Sequence, residues 1–237
     1  MHLWQAPLDV AADVLDRLGA ALSREESARA TRYRFDVDRT RYIAARGWLR
    51  SLLARYTGCA PSEIHVTEGP HGKPRLDMGQ SWLRFNLSHS NDLAIYAIAR
   101  EREVGVDVER IRNDMPIDDI ARQLSPRERA DLAALPEVDR PRAAFDCWTR
   151  KEAYLKAVGA GLSVPLDEFD VPTSSAFSGH VLLPSGDGGQ PERWTLSTFD
   201  AGPEYAAAVA VEGDCAVPAA ARSLALAVDG ALADPTE

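Results

Sequence analysis

Two carboxylates lie at the end of a segment that otherwise has the pattern of a buried strand. The segment VGVDVER, residues 104–110, is rich in valine but contains Asp107 and Glu109. Successive side chains of a strand point to opposite faces, so these two carboxylates lie on the same face. Like charges side by side repel, and partial burial raises the cost further. The pair therefore predicts a positively charged partner.

Lysine is rare in this chain, and its positions are informative. Of 27 basic residues, only Lys73, Lys151 and Lys156 are lysines. A lysine supplies a compact point charge where arginine supplies a planar fork. Two of the three flank Glu152 in the segment WTRKEAYLKAVGAGLS, residues 148–163. This clustering indicates a use for ammonium groups at that place.

Glu152 and Lys156 are four residues apart, so on a helix they share one face. Taken alone, an exposed ion pair of little energetic value is the simpler interpretation. Considered with Asp107 and Glu109, the segment supports another. Three carboxylates can hold Mg²⁺ through hard oxygen ligands, with lysines beside a phosphate-bearing ligand.

Two more short segments could contact an anion. GPHGKP, residues 69–74, is a loop with one lysine, although a simple turn explains it as well. NLSHS, residues 86–90, ends a strand with Ser88 and His89, and a polar strand terminus is the alternative. The sequence has no H-x-x-x-H, C-x-x-C or G-x-S-x-G motif, so zinc and serine-hydrolase chemistry have no support.

These segments belong to a regular series of helices and strands. Helical patterning covers residues 8–34, with Ser23 as a helix cap, and an amphipathic helix covers residues 38–57. Another long helix covers residues 139–158 and ends at Gly159. Strands are predicted at RFNLSHS, LAIYAIA and EVGVDVE, and PIDDIARQLSPRERADLAAL is predicted to be a broken helix that restarts at Ser125.

The order of elements repeats along the chain. FNLSHSNDLAIYAIA is echoed by WTLSTFDAGPEYAAAVAV, with Leu87-Ser88 and Tyr96 corresponding to Leu196-Ser197 and Tyr205. This internal duplication predicts an α+β, pseudo-dimeric fold of two similar halves, with the active site in the cleft between them. We expect an N-terminal α+β half at residues 1–103, a C-terminal α+β half at 104–217, and an Ala-rich tail at 218–237 that is a marginal helix or disordered.

Composition limits the class of protein. The net charge of −9 argues against a non-specific nucleic-acid binder, yet arginine exceeds carboxylate in residues 24–55, which favours an anionic small ligand. No apolar stretch is long enough to span a membrane, and no signal peptide is evident. Three separated cysteines, Cys59, Cys147 and Cys215, are typical of free thiols, so we expect a cytoplasmic protein.

The chain resembles the Sfp-type 4′-phosphopantetheinyl transferases. The motifs that carry the resemblance are GKP (72–74), FNLSHS (85–90), VGVDVE (104–109) and WTRKEAYLKAVGAGLS (148–163), in the family's order and spacing. The family moves the 4′-phosphopantetheine arm of coenzyme A to a serine of an apo acyl or peptidyl carrier protein and releases adenosine 3′,5′-bisphosphate. The resemblance implies coenzyme A and a carrier protein as partners, no nucleic acid and no membrane, and a pseudo-dimeric monomer.

The resemblance also implies roles for individual residues. Asp107, Glu109 and Glu152 would bind Mg²⁺, or Mn²⁺, together with the pyrophosphate of coenzyme A. Lys156, His89 and Lys151 would contact that pyrophosphate, and Ser88 would lie near it. Gly72, Lys73 and Pro74 would border the adenine, while Arg46 and Arg41, with Arg29 behind them, would hold the ribose 3′-phosphate.

The group that takes the proton from the carrier serine is open at this point. Glu128, in SPRERADL, matches an acidic position of the family that helps to activate the serine, although an exposed helix residue is the alternative. Glu152, Glu128 or a metal-bound water could serve as the base. The expected catalytic set is therefore Glu152, Lys156 and Glu128.

A carrier protein needs a docking surface. Carrier proteins are typically acidic, so arginines could steer them despite the net negative charge of this chain. Residues 110–129 combine apolar side chains that we expect to be exposed (Met115, Ile117, Leu124) with Arg122, Arg127 and Arg129.

Two rival functions use the same residues. A metal-dependent coenzyme A pyrophosphohydrolase would use the carboxylates with water as nucleophile and would cleave coenzyme A without a carrier. A non-catalytic binding module is the other rival, but it does not explain three carboxylates beside two helix lysines.

Overall fold

Two four-stranded sheets, each covered by one long helix, form the framework of the protein. The computed structural model describes residues 1–69, 72–77, 82–112, 117–159, 161, 164–184, 190–225 and 232. In the first half the elements are β1 (His2–Pro7), α1 (Ala12–Ala20), α2 (Arg24–Ala30), α3 (Asp36–Thr57), β2 (Val66–Glu68), β3 (Pro74–Leu76), β4 (Leu83–Ser90) and β5 (Leu93–Arg100). In the second they are β6 (Val104–Arg110), α4 (Ile117–Ala121), α5 (Pro126–Ala134), α6 (Arg140–Val158), β7 (Ser178–Leu183), β8 (Glu192–Thr198), β9 (Tyr205–Glu212) and β10 (Arg222–Ser223).

The helix ends follow the capping signals of the sequence. The Ser23 and Ser125 side chains each accept a bond from the backbone N–H of a glutamate three residues later, which begins α2 and α5. Helices α3 and α6 end where Gly58 and Gly159 take positive φ angles of 74° and 70°. The predicted broken helix is confirmed as α4 and α5.

The two halves share one topology. In the first sheet β5 lies between β1 and β4, and in the second β9 lies between β6 and β8. In each half a strand leads through helices to a long helix and then to an antiparallel hairpin. The predicted α+β fold of two similar halves is confirmed. The sheets pack against each other through a valine-rich cluster, while α3 and α6 cover their outer faces.

The repeat is not aligned as the sequence echo suggests. Leu87 pairs with Tyr96, whereas Leu196 pairs with Ala210. Tyr96 faces α3, but Tyr205 belongs to the cluster between the sheets. The reason is the connection, since β4 and β5 are joined by a two-residue turn and β8 and β9 by a longer loop. Equal spacing in sequence therefore does not give equal position in the sheet.

The helix-facing residues of the equivalent strands β1 and β6 differ in chemistry. In β6 they include Asp107, together with Gly105, over which α6 passes. In β1 they are His2, which contacts Tyr56 of α3, and Trp4 and Ala6, both buried under α3 with the following residue, Leu8. Only the second half therefore has acidic residues on this face of the repeated strand.

Gly105 allows α6 to lie directly on β6. A Cβ atom at this position would stand 2.1 Å from the Ala153 carbonyl oxygen and 2.3 Å from the Ala157 nitrogen. No side chain fits there, so glycine sets how closely Lys156 and Asp107 approach each other.

The C-terminal segment crosses back to the first half. Arg222–Ser223 form β10 and pair with β1, and Leu224 is buried in the cluster under α3. The prediction of a marginal helix or disorder for the tail is therefore wrong for residues 222–225, because Leu224 buries apolar surface and β1 has an open edge. Residues 226–231 and 233–237 of that predicted tail lie outside the described residues. None of the helices among the described residues is long and apolar enough to cross a membrane.

Candidate active site

A polar seam joins the facing edges of β4 and β6. Alternate side chains of β4 point to the second half, and these are Asn86, Ser88 and Ser90. The Asn86 Oδ1 accepts a hydrogen bond from the Val106 N–H at 2.9 Å, and the Ser90 hydroxyl accepts one from the Arg110 N–H at 3.0 Å. The seam fixes the strand that carries the carboxylates relative to the first half.

Asp107 lies at the centre of this seam and is 1 % exposed. Its Oδ1 accepts a hydrogen bond from the Ser88 hydroxyl at 2.8 Å and pairs with the Lys156 ammonium at 2.6 Å. Lys156 also donates to the Ser88 hydroxyl at 2.9 Å. The other oxygen, Oδ2, is buried with no hydrogen-bond partner among the described residues. A buried oxygen without a donor is costly, so this atom points to a further partner.

Glu109 and Glu152 lie close enough to Asp107 to be affected by its charge. Burial raises the pKa of Glu109 above its usual value, and the charge of Asp107 adds to the effect. The pKa of Glu152 is raised by the same two causes. The Ser90 hydroxyl donates to Glu109 Oε2 at 2.9 Å. The sequence prediction of same-facing carboxylates that need a cation agrees with this electrostatics.

The donor set suits a hard divalent cation. Asp107, Glu109 and Glu152 offer carboxylate oxygens. One of these, Asp107 Oδ2, has no hydrogen-bond partner among the described residues. Within the described part of the chain, however, no three carboxylates, histidines or cysteines already stand in the geometry of a metal site. In this arrangement Lys156 neutralises Asp107.

A cleft of about 680 Å³, here called the basic cleft, runs from the first half to Lys156. Its floor includes Leu87, Ser88 and His89 of β4. Its far wall is formed by α2, by α3 and by Tyr33, which lies between these two helices. Arginine lines it at four positions, which are Arg29, Arg32, Arg46 and Arg50. This size and charge suit a small ligand with several phosphates.

Glu26 anchors two of these arginines. Its carboxylate pairs with Arg46 at 2.7 Å and with Arg50 at 2.5 Å. Arg29 lies over the Tyr42 ring. Arg29 and Arg32 have no ion pair within the described residues, so their charge is directed to the cleft.

Arg41 is not in the basic cleft, contrary to the prediction. Its guanidinium binds both carboxylate oxygens of Asp9, at 2.7 and 2.8 Å, and also the Asn91 side chain. Helix geometry explains the difference, because positions 41 and 46 are five residues apart and lie on different faces of α3. Arg46 lies in the cleft wall, and its contact with a ribose 3′-phosphate stays a prediction.

The three residues of the GKP segment, 72–74, make different contacts. Gly72 and Pro74 line the basic cleft. The Lys73 ammonium instead pairs with Glu103 at 2.6 Å and donates to the Ala157 carbonyl at 2.5 Å, near the C-terminal end of α6. The Lys73 ammonium is therefore bound by groups of the protein itself. The prediction that Lys73 borders the adenine does not involve this charge. The Lys73 side chain lines a smaller cavity of about 260 Å³, the inner pocket, between the basic cleft and Glu152.

Lys151 and Glu128 form a buried ion pair away from the cleft. Both are at most 1 % exposed, and their charged groups are 2.8 Å apart. The predicted contact of Lys151 with a pyrophosphate and the predicted proton transfer by Glu128 are therefore wrong for this arrangement. Lys151 and Glu152 are adjacent on α6, and a rotation of about 100° per residue turns Lys151 inward and Glu152 toward the inner pocket.

His89 lines the basic cleft beside Lys156. Desolvation by the surrounding protein atoms, and then the charge of Lys156, lower the pKa of His89. The imidazole is therefore neutral at neutral pH and can donate or accept one hydrogen bond at the cleft floor.

A third cavity, here called the α6 groove, opens on the other side of Glu152. It has a volume of about 490 Å³ and shares Glu152 and Leu155 with the inner pocket. Its other lining residues are Arg122, Gln123, Trp148, Val164, Pro165, Leu166 and Asp167. Glu152 thus stands between two approaches to the site.

Sequence reasoning placed Asn86 and Ser90 in a polar strand end but assigned neither of them a role in the site. The signal was available, since Asn86, Ser88 and Ser90 alternate in a strand and so share a face. Arg32 was also missed, because its place in the cleft depends on the turn between α2 and α3.

The fold and the site define a protein of two similar halves with a cleft whose arginines and lysine suit a phosphate-bearing ligand. A family model described as "4′-phosphopantetheinyl transferase superfamily" matches residues 103–210, and one described as "4′-phosphopantetheinyl transferase, N-terminal" matches residues 9–101. The chain belongs to the 4′-phosphopantetheinyl transferase superfamily.

Curated relatives agree with this assignment. The chain is 37 % identical to "4′-phosphopantetheinyl transferase HetI" of Nostoc sp., over 82 % of this chain and 91 % of the relative. It is 31 % identical to a "4′-phosphopantetheinyl transferase" of Bacillus subtilis, over 82 % of this chain and 84 % of the relative. It is 27 % identical to "4′-phosphopantetheinyl transferase Sfp" of the same species, with the same shares covered.

Proposed function

We propose that this protein transfers the 4′-phosphopantetheine group of coenzyme A to a serine of an apo acyl or peptidyl carrier protein and releases adenosine 3′,5′-bisphosphate. The observation that carries the proposal is the basic cleft, which leads from arginines of the first half to Lys156 and Asp107 of the second. A ligand with phosphates at two separate positions, as coenzyme A has in its 3′-phosphate and its pyrophosphate, fits this distribution of charge, and family membership supports the reaction type.

The nucleotide end of coenzyme A binds at the arginines of the cleft. Arg29, Arg32 and Arg46 hold the ribose 3′-phosphate in this proposal, since guanidinium groups bind phosphate oxygens through several N–H donors. Gly72 and Pro74 border the adenine. Arg41 is replaced in this role because Asp9 holds it.

The pyrophosphate lies at the other end, over Lys156 and His89. Asp107, Glu109 and Glu152 would hold Mg²⁺, or Mn²⁺, because their oxygens are of the preferred type and Asp107 Oδ2 has no partner in the described part of the chain. When bound, the ion supplies neutralisation of the pyrophosphate charge. Lys156 then turns its ammonium from Asp107 toward the phosphate oxygens and stabilises the leaving group.

The carrier serine attacks the phosphorus that bears the pantetheine arm. A new bond forms between the serine oxygen and that phosphorus, and the bond to the adenosine 3′,5′-bisphosphate oxygen breaks. Phosphoryl transfer depends mostly on positioning and charge neutralisation, which the fixed seam residues provide. Glu152 takes the serine proton in this proposal, because its carboxylate also faces the α6 groove.

The carrier docks on the exposed side of α4 and α5. Arg122 and Arg127 are more than two-thirds exposed there and can attract an acidic partner. Leu124, predicted to be exposed, is instead fully buried under α6, so it takes no part in docking. Ile117 is partly buried in the same cluster, Arg129 is exposed, and Met115 lies outside the described residues.

Charge reversal tests this docking surface. The Arg122→Glu/Arg127→Glu variant should raise the KM for the carrier by about tenfold and leave the KM for coenzyme A unchanged. Steady-state kinetics with each substrate varied in turn measure both constants. An unchanged carrier KM contradicts the docking surface.

The protein acts as a monomer in the cytoplasm in this proposal. The internal repeat already places both walls of the cleft on one chain, so no second copy is needed. Cys59, Cys147 and Cys215 are free thiols, in agreement with a reducing compartment.

The deciding experiment is incubation with coenzyme A, Mg²⁺ and apo carrier proteins, followed by intact-mass measurement of each carrier. A mass gain of one phosphopantetheine group is expected. Cleavage of coenzyme A without a carrier would instead indicate the pyrophosphohydrolase, and binding without either reaction would indicate a non-catalytic module. Addition of EDTA should abolish transfer, and transfer that survives EDTA contradicts the metal proposal.

A further inference from the structure

Two adjacent cations of α6 are buried completely. Arg150 and Lys151 both have 0 % exposure, although lysine and arginine are rarely buried without a partner. Neither lines the basic cleft, the inner pocket or the α6 groove. Their use must therefore be sought in what their side chains contact.

Lys151 binds backbone carbonyls of the segment that follows α6. Its ammonium donates to the Leu166 carbonyl at 2.6 Å and also to the Phe169 carbonyl, and it lies 4.3 Å from the centre of the Phe169 ring. Glu128 completes the arrangement. One of its oxygens pairs with Lys151, and the other accepts a hydrogen bond from the Val171 N–H at 2.8 Å.

Arg150 binds the next part of the same segment. Its guanidinium donates to the Pro172 and Ser174 carbonyls, each at 2.6 Å, and to the Ser175 carbonyl at 3.1 Å. The two cations together thus reach five carbonyl groups between residues 166 and 175. Buried carbonyls need donors, and within the described part of this segment regular structure is limited to the 3₁₀ turn Leu166–Glu168.

The segment held in this way forms one wall of the α6 groove. Val164, Pro165, Leu166 and Asp167 face Glu152 across that groove. Lys151 holds the Leu166 carbonyl in the wall itself and immediately precedes Glu152 on the helix. The same helix turn therefore fixes both the wall and the carboxylate.

Stability alone does not explain such an arrangement. The groups that face the two cations are the carboxylates of Glu128 and Asp146, with Arg142 as a further cation. Buried ion pairs usually contribute no more stability than well-packed apolar residues of the same volume, because desolvation offsets the attraction. The two cations instead fix the backbone conformation of the segment, because they hold five of its carbonyl groups at defined positions.

We propose that Lys151, with Arg150 and Glu128, positions residues 164–175 so that they form the wall of the α6 groove where the carrier's serine approaches Glu152. These are positioning residues and do not contact coenzyme A. The part of this inference that concerns the carrier rests on the proposed transferase function, whereas the part that concerns the segment does not.

The test uses the Lys151→Met/Glu128→Gln double variant, which removes both charges and leaves no buried charge unpaired. Leu18→Ala is the matched control, since Leu18 is a buried residue of α1 whose loss destabilises the fold without contact with the segment. Lys151→Arg is a second disrupting variant, because it keeps the charge opposite Glu128 but replaces the compact ammonium by a larger, planar guanidinium.

Two measurements separate positioning from a merely structural role. The first is the rate at which a glutamate-specific protease cleaves after Glu168, an exposed residue of the wall segment, well below the unfolding temperature. We expect cleavage at least tenfold faster in the double variant and unchanged in Leu18→Ala. The second is kinetics with Mg²⁺, coenzyme A and an apo carrier that the wild type modifies. We expect kcat/KM for the carrier to fall at least tenfold, with the Kd for coenzyme A within twofold of the wild type.

Each outcome decides the proposal. Unchanged cleavage after Glu168 overturns it, as does a loss of carrier kcat/KM no larger than in Leu18→Ala. If the double variant does not fold, Lys151→Arg decides by the same two readouts, because its larger head group cannot sit between the same carbonyls. If the wild type modifies no carrier, the proposed function fails, and the protease measurement still decides whether Lys151 positions the segment.

Discussion

Asp107 combines two properties that rarely occur together, nearly complete burial and an oxygen with no hydrogen-bond partner among the described residues. Its other oxygen is held by Ser88 and Lys156, one from each half of the chain. A carboxylate fixed from one side and open on the other is preorganised to accept a cation. Such fixed charge acts in a partly dry site, where electrostatic interactions are stronger than in water.

Replacement of this carboxylate should remove transfer activity. Asp107→Asn keeps the size of the side chain but not its charge, and we expect kcat/KM to fall by about a hundredfold or more. Intact-mass assays of carrier modification measure the rate. Asp13→Asn, which changes an exposed aspartate of α1, should retain wild-type activity. Full activity of Asp107→Asn contradicts the assignment of the site.

The contacts of Glu26 make the stability of the fold depend on pH in the acidic range. Burial alone would raise the pKa of Glu26, but the Ser23 N–H and the charges of Arg46 and Arg50 bring it below the usual value of 4.5. The folded state therefore holds this proton less tightly than the unfolded state. The stabilisation is present above pH 4.5 and is lost as the pH falls through the lowered pKa.

Glu26→Gln should lose this contribution. We expect a free energy of unfolding lower by about 1–3 kcal/mol at pH 7, and a weaker decline than the wild type as the pH falls below 4.5. Urea unfolding at a series of pH values measures both. Glu137→Gln, in an exposed loop, should follow the wild-type curve. Parallel curves for Glu26→Gln and wild type would show that this ion pair does not set the acid response.

At the level of elements, the contact between α6 and β6 determines the site. The strand supplies Asp107 and the helix supplies Lys156 and Glu152, so their separation depends on how closely the two backbones pack. Gly105 permits that approach, because any Cβ atom would overlap the helix backbone.

Gly105→Ala should therefore push α6 away from β6. Overpacking of this kind costs about 1–3 kcal/mol, which corresponds to a melting temperature lower by about 3–10 °C. Activity per folded molecule should also fall, because Lys156 and Glu152 move with the helix. Thermal unfolding and transfer assays measure the two effects.

Gly19→Ala is the matched control for this substitution. Gly19 lies in α1, and a Cβ atom there meets its nearest neighbour at an ordinary 3.5 Å. Alanine has a higher helix propensity, so stability should be unchanged or higher by up to about 1 kcal/mol. If both glycine variants behave alike, close packing at Gly105 is not the reason for glycine there.

The sequence predicted most elements because their signals are local. Ser23, Ser125, Gly58 and Gly159 mark helix ends by their own chemistry, and the alternation in β6 placed Asp107 and Glu109 on one face. Contacts between distant segments were not predictable in this way.

The residues assigned wrongly show where local signals end. Arg41 was predicted in the cleft, but Asp9 binds it from another element. Lys151 and Glu128 come from different helices, and only the packing of α5 against α6 makes them a buried pair. Motif position alone could not distinguish Lys151, which faces inward, from Lys156, which faces the cleft.

For the whole molecule, the C-terminal segment adds a link between the halves. After β9 it passes the cluster between the sheets, and it then pairs with β1 and buries Leu224 under α3. The Arg222 guanidinium lies over the Trp4 ring, and so does the guanidinium of Arg55. The first half is thus completed by residues from the end of the described chain.

Leu224→Asp should loosen this link. Loss of a buried leucine costs about 1.5–3 kcal/mol, and a buried carboxylate costs more, so we expect a clearly lower melting temperature. Leu182→Asp is the comparison, because Leu182 is 70 % exposed in β7 and should change stability by no more than about 0.5 kcal/mol. Calorimetry of the two variants measures the difference. Equal melting temperatures would mean that the segment does not stabilise the first half.

The repeated strand has a consequence for stoichiometry. A true symmetric dimer would offer two equivalent clusters of carboxylates, one under each long helix. Here the equivalent surface of β1 is filled by Trp4 and Ala6, with Leu8 following, so that half contributes packing where the other contributes charge. In the proposed function one chain therefore has a single site among the described residues, and we expect a hyperbolic saturation curve for coenzyme A, with the duplicated half serving as the wall of that site.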